Sequence, residues 1–123
     1  MSFKTSRINL MERLALHLKL EVALQAEGFA SEPGVLQKVG KRFIRVSGQF
    51  IVPHTLQEIV LLGAPPKLRG SKVSLRTTYM GSFSAVLVRA GVDFVEVLVS
   101  RQEEEEELVI LIPYNHLISI ERT

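Results

Sequence analysis

Hydrophobic and polar residues alternate in two stretches of the chain, and both stretches follow the same pattern. The alternating apolar or half-buried positions are Leu20, Val22 and Leu24 in the first stretch and Val73, Leu75 and Thr77 in the second. Alternation of this kind has the period of a half-buried β-strand. The pattern therefore predicts two copies of one β-rich unit, and a fixed internal repeat is a strong guide to architecture.

The two copies match along most of their length. VLQKVGKRFIRV in the first copy aligns with VLVRAGVDFVEV in the second, which sets Gly40 opposite Gly91. QFIVPHTLQEIVLL then aligns with LVILIPYNHLISI, which sets Pro53 opposite Pro113. The second copy is longer only where RQEEEEE stands, between its third and fourth predicted strands.

Each copy predicts five short strands separated by Gly, Pro or polar turns. At Gly40 and Gly91 we expect sharp bends in one long strand, because glycine tolerates strained backbone. Five strongly bent strands of this length form a small closed barrel. The expected strands are about 18–26, 33–40, 41–47, 48–53 and 57–62 in the first copy, and about 71–80, 82–91, 92–101, 107–112 and 117–122 in the second.

A helix is expected ahead of the first copy, at about residues 6–17. Thr5 or Ser6 can supply its N-cap. The apolar residues that fall at helical spacing are Ile8, Met11, Leu14 and Leu18.

The second copy has no equivalent helix, because Pro65 and Pro66 in GAPPKLRG predict a stiff, extended linker. The predicted fold is therefore mainly β, with an N-terminal helix followed by two tandem five-stranded barrels. Residues 1–62 form the helix and first barrel, residues 63–70 form the linker, and residues 71–123 form the second barrel.

Composition excludes several classes of protein. The chain has no cysteine, so it has no disulfide, thiolate metal site or cysteine nucleophile. Its three histidines, His17, His54 and His116, lack the spacing of a metal motif, and no triad or phosphate-binding glycine loop is evident. Apolar runs fall short of the roughly 18 residues of a membrane span, and MSFKTSRINL lacks a signal-peptide core. We expect a cytoplasmic protein that is not an enzyme and uses no cofactor, metal or membrane.

Positive charge is concentrated in the first half of the sequence, although the net charge is only +2. Lys38, Lys41, Arg42 and Arg45 form a cluster that could hold the phosphates of a polyanion. Strand alternation would separate Arg42 from Lys41 and Arg45. A solvated rim is therefore favoured over a focused basic patch.

Two segments of the second copy resemble a known family. GVDFVEVL resembles the Asp-aromatic segment of the first Sm motif, and YNHLIS resembles the Tyr-Lys-His corner of Hfq, with Asn115 at the lysine position. A helix followed by five bent strands is also similar to the Sm-like fold that Sm proteins and bacterial Hfq share. The resemblance covers residues 18–62 and 71–122. The first copy departs from it, because His54-Thr55-Leu56 leaves no histidine at the matching corner position and Arg42 replaces Asp93.

The resemblance implies a ring whose pore is lined by the corner, where the histidine contacts uridine-rich RNA and a nearby aromatic ring stacks on bases. Read from the residues alone, His116 also fits a turn that caps backbone groups, Tyr114 fits packing at a barrel end, and Phe43 and Phe94 fit the core. The candidate RNA-binding residues are Tyr114, Asn115, His116, Asp93 and Phe94, together with Lys41 and Arg42 from the basic cluster.

In Sm-like rings the fourth strand of one barrel pairs with the fifth strand of the next. Joining two barrels in one chain would make one such junction intramolecular and would leave one edge of each kind free, and heterologous contacts between such edges close rings. Three chains would then give a ring of six barrels, and a closed pseudo-dimer would satisfy the same residues.

Two functions follow from this picture. The first is a ring that binds single-stranded, uridine-rich RNA, with no DNA expected. The second is a structural or protein-interaction module that has lost the RNA site. The run Glu103 to Glu107 fits a solvated loop, or a segment that docks on the basic rim of a neighbouring chain.

Overall fold

A computed structural model describes residues 5–63, 69–100 and 107–123, which contain one α-helix and eleven strands. Two one-turn 3-10 helices, here the first corner (Pro53–Thr55) and the second corner (Tyr114–His116), each connect two strands. The elements are α1 Leu10–Ala15, β1 Glu21–Ala26, β2 Phe29–Ala30, β3 Gly34–Val39, β4 Ile44–Val46, β5 Gln49–Ile51, β6 Glu58–Leu61, β7 Ser71–Thr77, β8 Gly81–Ala90, β9 Phe94–Ser100, β10 Glu107–Pro113 and β11 Leu117–Arg122.

All eleven strands belong to one antiparallel, open sheet. Its order is β11-β7-β8-β9-β10-β6-β1-β3-β4-β5, and the short β2 pairs with β1. With β2 set aside, the first half of the chain (β1 to β6) and the second half (β7 to β11) have the same internal order: fifth, first, second, third, fourth. The halves join where β10 pairs with β6, for example through Ile110 opposite Val60.

The predicted mainly β class is confirmed, and each predicted strand has an observed counterpart. The strand β2 is an addition that the alternation pattern did not indicate. The division of the sheet into two barrels, and of the chain into two domains, stays a prediction. Residues 64–68 of the expected linker and most of the acidic run lie outside the described residues, and Glu107 begins β10.

Strands at the centre of the sheet are buried on both faces. Along β9, Phe94 and Leu98 point into the first core, which also contains α1 and the first-half strands. Val95 and Val97 point into the second core, which the strands of the second half complete. Burying both faces explains why the sequence of these strands is almost continuously apolar, as in sheets covered on both sides.

The helix is shorter than the expected span of about residues 6–17, and the predicted cap at Thr5 or Ser6 is wrong. Asn9 is the N-cap: its side chain accepts a hydrogen bond from the backbone N–H of Glu12 at 2.8 Å, and the Glu12 carboxylate accepts from Asn9 N–H at 3.0 Å. This reciprocal pair is a capping box. Ser6 instead lies along β8, where its N–H donates to the Ala90 carbonyl at 2.9 Å.

The glycine positions are tight turns rather than bends within one long strand, so that expectation is wrong. The Gly40 N–H donates to the Phe43 carbonyl, and the Gly91 N–H donates to the Phe94 carbonyl, each at 2.8 Å. The chain reverses at both turns, and the flanking strands pair with each other. A Cβ atom at Gly91 would lie 2.7 Å from the carbonyl oxygen of Ile8, so close packing requires glycine there.

Candidate functional site

Asp93, in the turn between β8 and β9, connects three parts of the molecule. Its Oδ1 accepts a hydrogen bond from the backbone N–H of Leu10, the first residue of α1, at 2.7 Å. Its Oδ2 lies 2.7 Å from Nε2 of His54 in the first corner. Its backbone carbonyl accepts from the Tyr114 N–H at 3.0 Å. The carboxylate therefore holds the helix and the first corner, and the backbone carbonyl of the same residue holds the second corner.

The second corner is also held by bonds within the chain. The Tyr114 hydroxyl donates to the Gly91 carbonyl at 2.5 Å. Burial of the Tyr114 ring, and the negative charge of Asp93 beside it, raise the pKa of this hydroxyl above its ordinary value. The side-chain amide of Asn115 donates to the His54 carbonyl at 2.8 Å, so the two corners are bonded directly.

The His116 ring, in the second corner, is bonded through one of its two nitrogens. Its Nδ1 lies 3.1 Å from the Thr78 hydroxyl, and its ring meets the edge of Tyr79 with 6.4 Å between centroids. Within the described part of the chain, Nε2 of this half-buried ring has no hydrogen-bond partner. Phe94, by contrast, is fully buried and offers no ring face to a base.

The corners of the two halves correspond one residue away from the alignment that the sequence suggested. Pro53 is the first residue of the first corner, whereas Pro113 precedes the second corner. The alignment of Pro53 with Pro113 is therefore wrong by one residue. His54 corresponds to Asn115, and these two equivalent residues are bonded to each other where the corners meet.

A basic and aromatic surface covers the outer side of β3, β4 and β5. Lys38 stands opposite Arg45, which stands opposite Phe50, so the three side chains form one cross-strand row. The Arg45 guanidinium carbon lies 5.6 Å from the Phe50 ring centroid, within cation–π range. The row borders a groove of about 460 Å³. We name this surface the first-half face; it comprises Lys38, Lys41, Arg42, Phe43, Arg45 and Phe50.

Two expectations for this surface are wrong. Arg42 lines the same groove as Lys41 and Arg45, because residues 40–43 form a turn to which strand alternation does not apply. Phe43 is not a core residue, since its side chain is 51% exposed. Phe43 and Phe94 therefore match in sequence but differ in burial, since Phe43 is exposed and Phe94 is fully buried.

The first-half face has a counterpart in the second half, at positions with the same strand pairing. We name it the second-half face. Arg45 lies between Lys38 and Phe50 just as Glu96 lies between Arg89 and Leu111. The corresponding positions are Lys38 and Arg89, Phe43 and Phe94, Arg45 and Glu96, and Phe50 and Leu111.

Residues 5–14 cover the second-half face. The Val92 N–H donates to the Ile8 carbonyl at 2.9 Å. Arg13, on α1, forms two hydrogen bonds with the fully buried Glu96 carboxylate, of 2.6 and 3.2 Å. Arg89 Nε lies 3.3 Å from the same carboxylate, but it has no bond of acceptable hydrogen-bond geometry. We therefore regard the Arg89 contact as a charge interaction and Arg13 as the bonded partner.

Other kinds of site find little support. The described ranges 5–63, 69–100 and 107–123 contain no group of three or more His, Asp or Glu side chains that could hold a metal ion. Within the same ranges, no helix has the length and apolar character needed to cross a membrane. Comparisons with protein-family models, with curated proteins and with solved structures found no match.

The sequence did not reveal the contacts between residues that lie far apart along the chain. Among the predicted residues, Asp93, Tyr114 and Asn115 come together at the junction, whereas Lys41 and Arg42 lie on the first-half face. His54 and Glu96 were not singled out as members of either surface. The VEV context of Glu96 was the available signal, because a charge flanked by core residues in a buried strand requires a partner.

Proposed function

We propose that this chain is a non-enzymatic, Sm-like assembly module, in which each half is a small five-stranded barrel and copies join head to tail. One observation carries the proposal. The fourth strand of the second half, β10, pairs with the fifth strand of the first half, β6, while the sheet ends in a fourth strand, β5, and a fifth strand, β11. The two ends therefore match the two sides of the junction inside the chain.

Strand pairing between β5 of one copy and β11 of the next would repeat that junction. Exposed strand edges present unpaired backbone groups and readily accept another strand. The end strand β11 also carries an exposed apolar side chain, Ile118, at 59% exposure. The contact is heterologous, so repeated rotation closes a ring, and three chains would supply six barrels. A closed pair of copies is the smaller alternative.

Sedimentation velocity over a range of protein concentrations tests this assembly. We expect wild type to form a discrete oligomer, with three copies for the ring. Ile118→Lys places a charge on the free strand β11, as natural edge strands do to prevent pairing, and should sediment as a monomer. Val92→Lys is the matched control, because Val92 is similarly exposed (60%) but lies in the β8–β9 turn. A monomeric wild type, or equal assembly of Ile118→Lys, would refute the proposal.

Binding of single-stranded, uridine-rich RNA is the second candidate function, and His116 is the observation that favours it. Its ring is half-buried at the second corner and keeps Nε2 available, and histidine can hydrogen-bond or stack with an unpaired base. Fluorescence anisotropy with U-rich and A-rich oligonucleotides at physiological salt tests it. His116→Ala should weaken binding of the U-rich RNA with little change in melting temperature. Binding that is indifferent to sequence, or unchanged in His116→Ala, would exclude this site.

A further inference from the structure

We infer that the first-half face is a docking site for an acidic, amphipathic segment of a partner protein. The second-half face, its counterpart, is covered by residues 5–14 of the same chain. The first-half face has the same strand pairing, but no covering segment is seen among the described residues. The described residues 69–100 and 107–123 contain no α-helix, so within these ranges a second chain has no helix that could cover this face as α1 covers the second-half face.

The charges of the two faces determine the chemistry of the occupant. On the second-half face, Glu96 accepts two hydrogen bonds from Arg13, and Asp93 accepts the first N–H of α1. Arg45 and Arg42 occupy the matching positions on the first-half face. A covering segment must therefore present carboxylates where residues 5–14 present a cation and a helix N-terminus. Residues 5–14 of a second chain do not fit this face, because Arg13 of that segment would face Arg45.

The apolar part of the face indicates how such a segment would be held. Phe94 and Leu111 are fully buried under their cover, whereas Phe43 and Phe50 are more than half exposed. The groove that these two rings border can receive apolar side chains from one face of a helix, which is a common mode of peptide recognition. Cations around an apolar groove thus match a helix with an apolar side and acidic flanks.

Four cations and two exposed rings could also contact the phosphates and bases of a single strand. The counterpart surface favours polypeptide, because there the matching residues are covered by protein in the same chain. We therefore assign the face to a protein partner, and we use RNA as a competing ligand in the test.

Two labelled peptides of residues 5–16 provide the probes. The native probe is TSRINLMERLAL. The acidic probe, TSRIDLMEELAL, has Asn9→Asp and Arg13→Glu, so that it meets Arg42 and Arg45 with carboxylates while keeping the N-cap and the apolar residues. With the full chain in fluorescence anisotropy, the acidic probe should bind saturably and at least about tenfold more tightly than the native probe. This ratio corresponds to about 1.4 kcal/mol.

Arg45→Glu is the decisive variant, because it gives the first-half face the charge that Glu96 gives its counterpart. It should lose affinity for the acidic probe at least tenfold and should now prefer the native probe. Lys72→Glu is the matched control on an exposed strand position of the second half, and it should bind both probes as wild type does. Thermal melting of each variant shows that the fold is retained, which is expected because Arg45 is exposed.

The result is separable from assembly and from RNA binding. Ile118→Lys should bind the acidic probe as wild type does, since the face lies within one chain, and sedimentation of the same samples reports assembly independently. Equal binding of the two probes, an unchanged preference in Arg45→Glu, or binding of a U-rich oligonucleotide without binding of either peptide would each overturn the inference.

Discussion

The carboxylate of Asp93, in the second half of the chain, lies 2.7 Å from Nε2 of His54, in the first half. The other oxygen of the same carboxylate accepts the N–H of Leu10, so Asp93 also fixes the start of α1. One turn residue thus joins the two halves and the helix. In the Sm-like resemblance this aspartate belongs to an RNA-binding segment, whereas here its two oxygens are engaged by the protein itself.

Replacing Asp93 by alanine should destabilise the fold. The variant loses a hydrogen bond at the N-terminus of α1 and a partly exposed side-chain contact with Nε2 of His54, which together contribute about 1–3 kcal/mol. Denaturant unfolding monitored by circular dichroism measures the change. Glu121→Ala, at an exposed position on β11, is the control and should change the free energy of unfolding by less than about 0.5 kcal/mol. Equal losses in both variants would show that Asp93 is not a structural connection.

Arg13 should matter more than Arg89, although both approach Glu96. Arg13→Leu removes both hydrogen bonds to a fully buried carboxylate, and breaking a buried pair of this kind costs about 3–5 kcal/mol. Arg89→Leu removes only the 3.3 Å charge contact and should cost clearly less. Denaturant unfolding of the two variants compares them directly.

The double variant Arg13→Leu/Glu96→Leu distinguishes a lost pair from a stranded charge. It should recover most of the stability lost in Arg13→Leu, because apolar replacements of buried ion pairs are often close to neutral. If the double variant is as unstable as Arg13→Leu, then the loss comes from packing of α1 rather than from the unpaired carboxylate of Glu96.

The two turn glycines provide a matched comparison of the covered and uncovered faces. In Gly91→Ala the new Cβ would meet the Phe94 ring and, at 2.7 Å, the Ile8 carbonyl of the covering segment. Overpacking of this kind costs about 1–3 kcal/mol. In Gly40→Ala the nearest contact is the Phe43 carbonyl at 3.2 Å, so the melting temperature should change far less. Equal shifts in melting temperature for Gly91→Ala and Gly40→Ala would mean that residues 5–14 do not pack closely against the β8–β9 turn.

The strands could be predicted because their signal is local. Alternation along β1 and β7, and glycine at the turns, report on neighbouring residues and their immediate backbone. Pairing of β10 with β6 joins residues about fifty positions apart, and no local pattern encodes it. For this reason the pattern of the sequence predicted the elements of the sheet, whereas a pairing of a fourth strand with a fifth strand at its centre was expected only from the resemblance to Sm-like rings.

The candidate surfaces were harder to predict, because burial depends on what covers a residue. Phe43 and Phe94 occupy matching turns with similar flanking residues, yet one is exposed and the other lies in the first core. Phe94 packs in a core that contains α1 and first-half strands, whereas no described segment covers Phe43. Likewise, Pro53 begins the first corner whereas Pro113 precedes the second, so an alignment of the two prolines did not place His54 opposite Asn115.

Tyr114 links the junction to a measurable dependence on alkaline pH. Burial, and then the charge of Asp93, disfavour the phenolate and raise the pKa of Tyr114 in the folded protein above 10.0. In the unfolded chain the hydroxyl titrates near its ordinary value of about 10. The folded state therefore holds this proton more tightly, and the resulting stabilisation is present below pH 10 and is lost as pH rises through the raised value.

Tyr114→Phe isolates this contribution from those of the other groups that titrate at high pH. At neutral pH the variant should be less stable by about 0.5–1.5 kcal/mol, because it lacks the hydrogen bond to the Gly91 carbonyl. As pH rises above 10, wild type loses its advantage, so the two free energies of unfolding should converge. Denaturant unfolding of both proteins between pH 7 and about 11 measures the difference. A difference that stays constant over this range would mean that the Tyr114 hydroxyl titrates alike in the folded and unfolded chains.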